Sequence, residues 1–335
     1  MIGRSKPYSK RMLIMVWAIL LLCASGPLSA AAAKSVEAEI AKDTFIKLNG
    51  ETLKMAEPIR KVDDRLFVPV AVIADIFGAK KISWNNDNEE ATIHTAYGDK
   101  IVLGNGVPVV YFNEVRYKMD AEPFLMNGRL YIPVRHVAEL LHATVTWNGA
   151  EKTAELNSVE PAVVTAEYGL DEISKEYKAS KAELLKRNGL ASESAVKEGS
   201  KLRVVIPSIF DHEAAPYTEQ DYTLLAKITM VEAGYESYEG QLAVANVILN
   251  RVKDSRFPST IRDVIYSGKQ FPPAHNGLLD KSVPNASVLR AAKDALNGKN
   301  NVKDAIYFFN PKVSKGEFWS SLSVIVTIGH HSFAK

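Results

Sequence analysis

A carboxylate on the core-facing side of a helix costs free energy unless it is paired or protonated. Glu232 is placed in this way. Within residues 218–252, Leu224, Leu225, Ile228 and Val231 recur at helical spacing and mark a stripe to be buried. Glu232 follows Ile228 by one turn and Leu225 by two, so it shares their side. Gly234 comes two residues later and is expected to end the helix. Desolvation and the negative end of the helix both push a carboxyl pKa upward, which suits a general acid near neutral pH. On spacing alone, a surface glutamate at a frayed helix end fits equally well. Glycoside hydrolysis by the common routes needs a second carboxyl group. Glu236 and Glu239 are near in the sequence, but the intervening glycine leaves their orientation open. His330 and His331 are adjacent in a strand-like run, are expected to point apart, and belong to no H-E-x-x-H pattern. His94, His136 and His142 share no spacing that groups them on one face, so no metal site and no cofactor are expected.

The elements that must position Glu232 are legible from their caps. Thr218-x-x-Asp221 is a capping-box-like start for its own helix. Ser237 can cap a second helix over 238–253, with Leu242, Ala245, Val247, Ile248 and Val252 as its apolar face. Ser259 or Thr260 starts a short helix through Tyr266, and residues 270–273 open an irregular segment. Asn285 caps a helix over 286–296, ended by Asn297-Gly298. From Ala305 onward the pattern is strand-like. Helices first and a ribbon last predict an α+β domain over 217–335.

This last domain closely resembles the cell wall hydrolases typified by the spore cortex-lytic enzyme. The resemblance runs from about Leu224 to the end. It rests on Val231-Glu232-Ala233, Tyr238-Glu239-Gly240-Gln241, Leu249-Asn250-Arg251-Val252, Phe257-Pro258, Gln270-Phe271, Ala295-Leu296-Asn297-Gly298, Tyr307-Phe308-Phe309-Asn310-Pro311, Ile328-Gly329, His331 and Phe333-Ala334-Lys335. It implies a lysozyme-like fold, with the family's catalytic glutamate at Glu232. It also implies a single acid/base, a lytic transglycosylase acting on peptidoglycan beside N-acetylmuramic acid. Tyr307, Asn310 and His331 are the candidates for lining the cleft. Gly234 stands where many members have Arg, and His330 where many have Asn. A hydrolytic muramidase and a non-catalytic wall-binding scaffold are the competing readings, and cortex and vegetative wall are not distinguished.

The rest of the chain points to export and to the wall. Arg4, Lys6, Lys10 and Arg11 precede the apolar run 12–24, Gly26-Pro27 breaks it, and small residues fill 29–33. That pattern predicts a cleaved signal peptide over 1–33, and no stable transmembrane anchor after cleavage. Cys23, the one cysteine, would leave with it. No disulfide, zinc thiolate or cysteine nucleophile would then remain. Within 34–160, Leu66/Leu130, Pro69/Pro133, Val70/Val134, Ala74/Ala138 and Ala79/Ala143 stand 64 positions apart, with Trp84 matched to Trp147 after a deletion. The pattern predicts a duplicated small α/β unit, with both Trp residues in the core before any role as glycan platforms. It resembles the copper amine oxidase N-terminal-like domain, without a copper site, and implies a spacer or wall-interaction module.

Residues 161–208 carry strand, helix, helix and strand signals, with Ser180 as a cap, Asn188-Gly189 as a stop and a strand over 202–206. They resemble a LysM module with a degenerate first loop. Residues 209–216 read as a polar linker. The whole is therefore a multidomain α+β chain. Composition agrees: of 335 residues 47% are hydrophobic and 24% charged, as in globular protein. A net charge of +2 without a dense basic run argues against nucleic acid. Peptidoglycan strands are the expected partner, at the wall or spore cortex of a Gram-positive bacterium.

Overall fold

The structure, a computed structural model, describes residues 37–268 and 270–335. The expected signal segment 1–33 lies outside them. The chain is a mixed α+β protein with a β-rich N-terminal part and a mainly helical C-terminal part.

In the N-terminal part, strands Arg65–Pro69 and Arg129–Pro133 run directly into α1 (Val70–Ile76) and α2 (Val134–Leu140). Each helix begins after a proline, whose missing N–H removes no helical hydrogen bond at that position. The two strands pair antiparallel, with Val68 opposite Ile132, Phe67 opposite Pro133 and Pro69 opposite Tyr131. Positions 64 apart therefore surround a local two-fold through Val68 and Ile132. Each helix leads into a hairpin, Lys81–Asn85 with Glu90–His94 and Ala143–Asn148 with Thr153–Ser158. Val68, Ile73, Ala74, Ile132, Val137 and Ala138 form the shared core.

The two Trp residues expected in that core are outside it: Trp84 is 39% exposed and Trp147 56%. The reason is where their strands end. The last three residues of Lys81–Asn85 and of Ala143–Asn148 are all exposed, so each strand runs past the packed layer before it turns.

Residues 162–206 hold α3 (Leu170–Tyr177) and α4 (Lys181–Asn188), flanked by Ala162–Val163 and Lys201–Leu202, which pair antiparallel. The second strand is shorter than predicted because the backbone beyond it turns to a different partner. The Val204 and Val205 N–H groups donate to His142 Nε2 at 2.8 and 3.2 Å, while His142 Nδ1 donates to Val159 O at 2.7 Å. Burial pushes the His142 pKa down to about 4, which keeps the ring neutral and able to accept. Beside it, buried Asp99 accepts from Arg187 at 2.9 Å and also from Arg203 and Asn113.

Residues 209–216 are not a free hinge. Ile209 and Phe210 are buried in the N-terminal core, and Phe210 stacks on Tyr117 with centroids 4.7 Å apart. Nearby His212 and Glu213 are exposed, and Glu213 pairs with Lys186 at 2.7 Å.

The C-terminal part is built on α5 (Glu219–Ala233), α6 (Tyr238–Lys253), α7 (Ile261–Tyr266), α8 (Leu278–Lys281) and α9 (Ala286–Leu296). Thr218, Ser237, Thr260 and Asn285 cap four of these through their side chains, each cap being worth about 1 kcal/mol. The expected apolar face of α6 proves to be a buried cylinder, continuous from Gly240 to Ile248. That makes it the central helix, packed by α5, α7 and α9. The closing ribbon orders its strands as Tyr307–Phe309, His331–Ala334 and Val324–Ile328. Within the run predicted as strand, α10 (Glu317–Ser321) intervenes as a helical turn.

The C-terminal end of α9 docks on the N-terminal sheet. Arg116 donates to Asn297 Oδ1 and Leu296 O, both at 2.9 Å, and so meets the carbonyl end of that helix with positive charge. Lys293–Glu90 at 2.6 Å and Arg290–Glu89 at 2.9 Å extend the same contact.

Candidate active site

Glu232 sits in the last turn of α5, whose Leu225, Ala226, Ile228, Thr229 and Ala233 are buried. The glutamate itself is half-buried. Among the described residues, no hydrogen bond reaches its carboxylate. Burial pushes its pKa above the usual carboxylate range, and the charge of Arg251 opposes that rise.

Gly234 ends the helix as expected, but in right-handed conformation, with its N–H bonded to Met230 O at 2.9 Å. What demands glycine here is space, not a left-handed turn. A Cβ would collide with the Met230 carbonyl oxygen and thioether.

Arg251, on α6, was assigned no role from the sequence, yet it organises the surroundings of Glu232. It is buried, and its Nε donates to Ile306 O at 2.7 Å. The guanidinium lies 5.2 Å from the Phe257 ring, 5.3 Å from Phe271 and 5.9 Å from Tyr307. Burial pushes its pKa down to about 10, against the pull of Tyr307 and Glu232. Its neighbour Asn250 donates to Lys303 O at 2.8 Å and Ala305 O at 2.9 Å, which fixes the segment leading into the Tyr307 strand. Residues far apart in sequence thus meet at one cation. The signal that could have found it is an Asn-Arg pair inside an otherwise apolar helix.

The three predicted lining residues divide. Tyr307 is half-buried, beside Arg251, with Phe318 edge-on at 5.6 Å. The Asn310 side chain accepts from Lys312 N at 3.0 Å and shapes the turn after the strand. His331 lies against Phe308, with centroids 5.5 Å apart, and faces Glu236 rather than Glu232.

His330 and His331 were expected to diverge. Instead both approach Glu236, because Gly329 turns the ribbon immediately before them. Glu236 Oε1 accepts from His330 Nδ1 at 2.8 Å, and Oε2 from the His330 N–H at 3.3 Å. His331 Nδ1 is 3.9 Å from Oε1, and burial pushes the His331 pKa down. Gly329 has φ +57°, and a Cβ there would collide with Glu236 Oε2. The backbone of the same loop is held by Gln241, whose Nε2 donates to Glu236 O at 2.9 Å while Oε1 accepts from Ser287 at 2.6 Å. Among the described residues, no group of three or more His, Cys, Asp or Glu could hold a metal ion.

Residues 235–334 match the Cell Wall Hydrolase family model, beginning three positions beyond Glu232. Residues 35–156 match the Copper amine oxidase N-terminal domain model. The chain is 36% identical over 119 residues to the spore cortex-lytic enzyme of Bacillus cereus, covering 36% of this chain and 46% of that protein. To the spore cortex-lytic enzyme of Bacillus subtilis it is 34% identical over 119 residues, covering 36% of this chain and 39% of that protein. The chain thus spans under half the length of these relatives. It is also similar to the catalytic domain of the germination-specific lytic transglycosylase SleB from Bacillus anthracis, at 35% identity and a TM-score of 0.34, covering 36% of this chain and all of that domain.

Proposed function

We propose that this chain, whose residues 235–334 form a cell wall hydrolase domain, degrades peptidoglycan as a lytic transglycosylase with Glu232 as its single acid/base. The observation that carries this reading is the setting of Glu232: half-buried at a helix end, unengaged by hydrogen bonds from the described residues, with burial raising its pKa. Such a carboxyl is free to give its proton to a substrate oxygen.

In the first step Glu232 protonates the glycosidic oxygen as the C1–O bond of N-acetylmuramic acid breaks. In the second, the C6 hydroxyl oxygen of the same sugar bonds to C1 and its proton passes to the Glu232 carboxylate. The ring closes as a 1,6-anhydro sugar, no water is consumed, and the acid is regenerated. Arg251 limits how far the pKa of Glu232 rises, so that the carboxylate remains accessible as the base of the second step. Tyr307 and His331 flank the sugar-binding cleft in this reading, with Asn310 at its turn.

A hydrolytic muramidase would need a second carboxylate to activate water. Glu236 is the candidate, but both its oxygens are already engaged by His330. That favours the single-acid route. Residues 34–160 act in this picture as a duplicated, non-catalytic module, a reading that the local two-fold supports. Residues 161–208 act as a LysM-like module, supported by the paired strands around α3 and α4. The chain would be exported to the cell wall or spore cortex.

The test is digestion of purified peptidoglycan followed by mass spectrometry. Anhydro-muramic ends are the expected product, and reducing ends would replace the transglycosylase with the hydrolase. Undiminished digestion by Glu232→Gln would overturn the assignment of the acid.

A further inference from the structure

A cleft of about 950 Å³ opens in the N-terminal part, far in sequence from Glu232. Its walls come from the start of the β-rich part, the turn before Arg65–Pro69, the first turn of α2, the hairpin that carries Trp147, and the segment 208–212. That volume is at the upper end of ordinary ligand sites.

Its chemistry is uneven. Lys61 is paired with Asp64 at 2.7 Å and Arg65 with Asp120 at 3.1 Å, so those charges are largely answered within the protein. Lys42, Lys118, Arg135 and Lys152 also line the cleft, are exposed, and make no ion pair among the described residues. Against these four, Glu39 is the one lining acid without an ion pair. The wall also includes Trp147, 56% exposed on a strand that overruns its core. An indole left in water has lost the burial that usually stabilises it. Beside a cationic surface, it offers a flat apolar face next to charges that attract anions.

We propose that this cleft is a second glycan site, holding a peptidoglycan strand with a sugar ring on Trp147 and stem-peptide or muramyl carboxylates against Arg135, Lys152, Lys118 and Lys42. The choice of peptidoglycan rests on the function proposed above; the requirement for an anionic saccharide rests on the cleft alone. Binding here would keep the enzyme on the wall between cleavage events, because the cleft is lined by residues 39–212 alone, shares none with the helical domain that carries Glu232, and need not release when a bond breaks.

The experiment uses the full chain carrying Glu232→Gln, so that the wall is not consumed. Retention is measured on insoluble peptidoglycan freed of phosphate polymers by hydrofluoric acid, and on neutral chitin. Added Trp147→Ala, or the pair Arg135→Glu and Lys152→Glu, is expected to weaken retention on peptidoglycan about tenfold or more. Trp147→Phe should restore most of it, and retention should fall as salt rises. All these side chains are exposed, so the melting temperature should hold and exclude misfolding as the cause.

Retention unchanged in the charge-reversed pair, or Trp147-dependent retention on chitin as strong as on peptidoglycan, would overturn the site. Loss of retention on stripping the phosphate polymers would overturn peptidoglycan as its ligand. In a Glu232-intact chain, Trp147→Ala should cleave short soluble glycan strands at the unsubstituted rate. If the unsubstituted chain cleaves nothing while retention still depends on Trp147, the proposed activity fails and the cleft stands.

Discussion

Glu232 and Glu236 are one helical turn apart in number but opposite in circumstance. Glu232 ends α5 with no described hydrogen bond to its carboxylate, and burial raises its pKa. Glu236 lies in the loop just before the Ser237 cap of the next helix, with His330 bonded to both oxygens and Gly329 bare beside them. The carboxylate proposed to exchange a proton is left unengaged, whereas the one that ties the loop to the ribbon is engaged at both oxygens. Gly234 separates the two by breaking the helix, so they share no face.

Several substitutions test this contrast. Glu232→Gln should remove about 10² to 10⁴ of the turnover rate on peptidoglycan, with the fold intact by circular dichroism. Its thermal stability should match or exceed that of the unsubstituted chain above the ordinary carboxylate range. The sign follows from the raised pKa: the folded state favours the proton, so ionisation costs stability, absent at low pH and complete once pH exceeds the raised value.

Glu236→Gln keeps the shape but weakens the contact to His330. A loss of about tenfold in activity is expected, together with a lowered melting temperature. If Glu236→Gln were as inactive as Glu232→Gln while equally well folded, Glu236 would be a second catalytic carboxylate and the contrast would collapse. Arg251→Met keeps the apolar stem and removes the charge that restrains Glu232. The alkaline limb of the kcat/KM profile should then move to higher pH. An unmoved limb would mean that Arg251 serves packing alone. The smallest effect belongs to His330→Asn. His330 is exposed, so a change within about 1 kcal/mol of stability is expected from chemical denaturation.

What the sequence made legible follows from how local the causes are. Thr218, Ser237 and Asn285 each bond to a backbone N–H three residues on, so the helix starts could be read from neighbouring letters. Glu232 could be placed near a core because Leu225 and Ile228 lie on its own helix. The partners of Glu236 could not, since His330 arrives from a ribbon at the far end of the chain. The same holds for Arg251, whose aromatic surround is gathered from Phe257, Phe271 and Tyr307. Trp84 and Trp147 misled for the opposite reason. A large apolar residue in a strand is ordinarily packed, and only the position of the strand's end relative to the core shows that these are not.

One pairing in the N-terminal part bears on when the protein can fold. Strand Phe45–Leu48 lies parallel to Thr153–Ser158, with Phe45 opposite Thr153 and Leu48 opposite Leu156. Apart from its short hairpin with Glu51–Thr52, the Phe45–Leu48 strand must therefore wait for a partner that leaves the ribosome about a hundred residues later, and long-range pairings of this kind close slowly. Until then buried Ile46 lacks the strand that flanks it in the folded core, where it lies opposite Ala154. If the chain is exported as proposed, that delay would keep its N-terminal part threadable until nearly half of its length has been made.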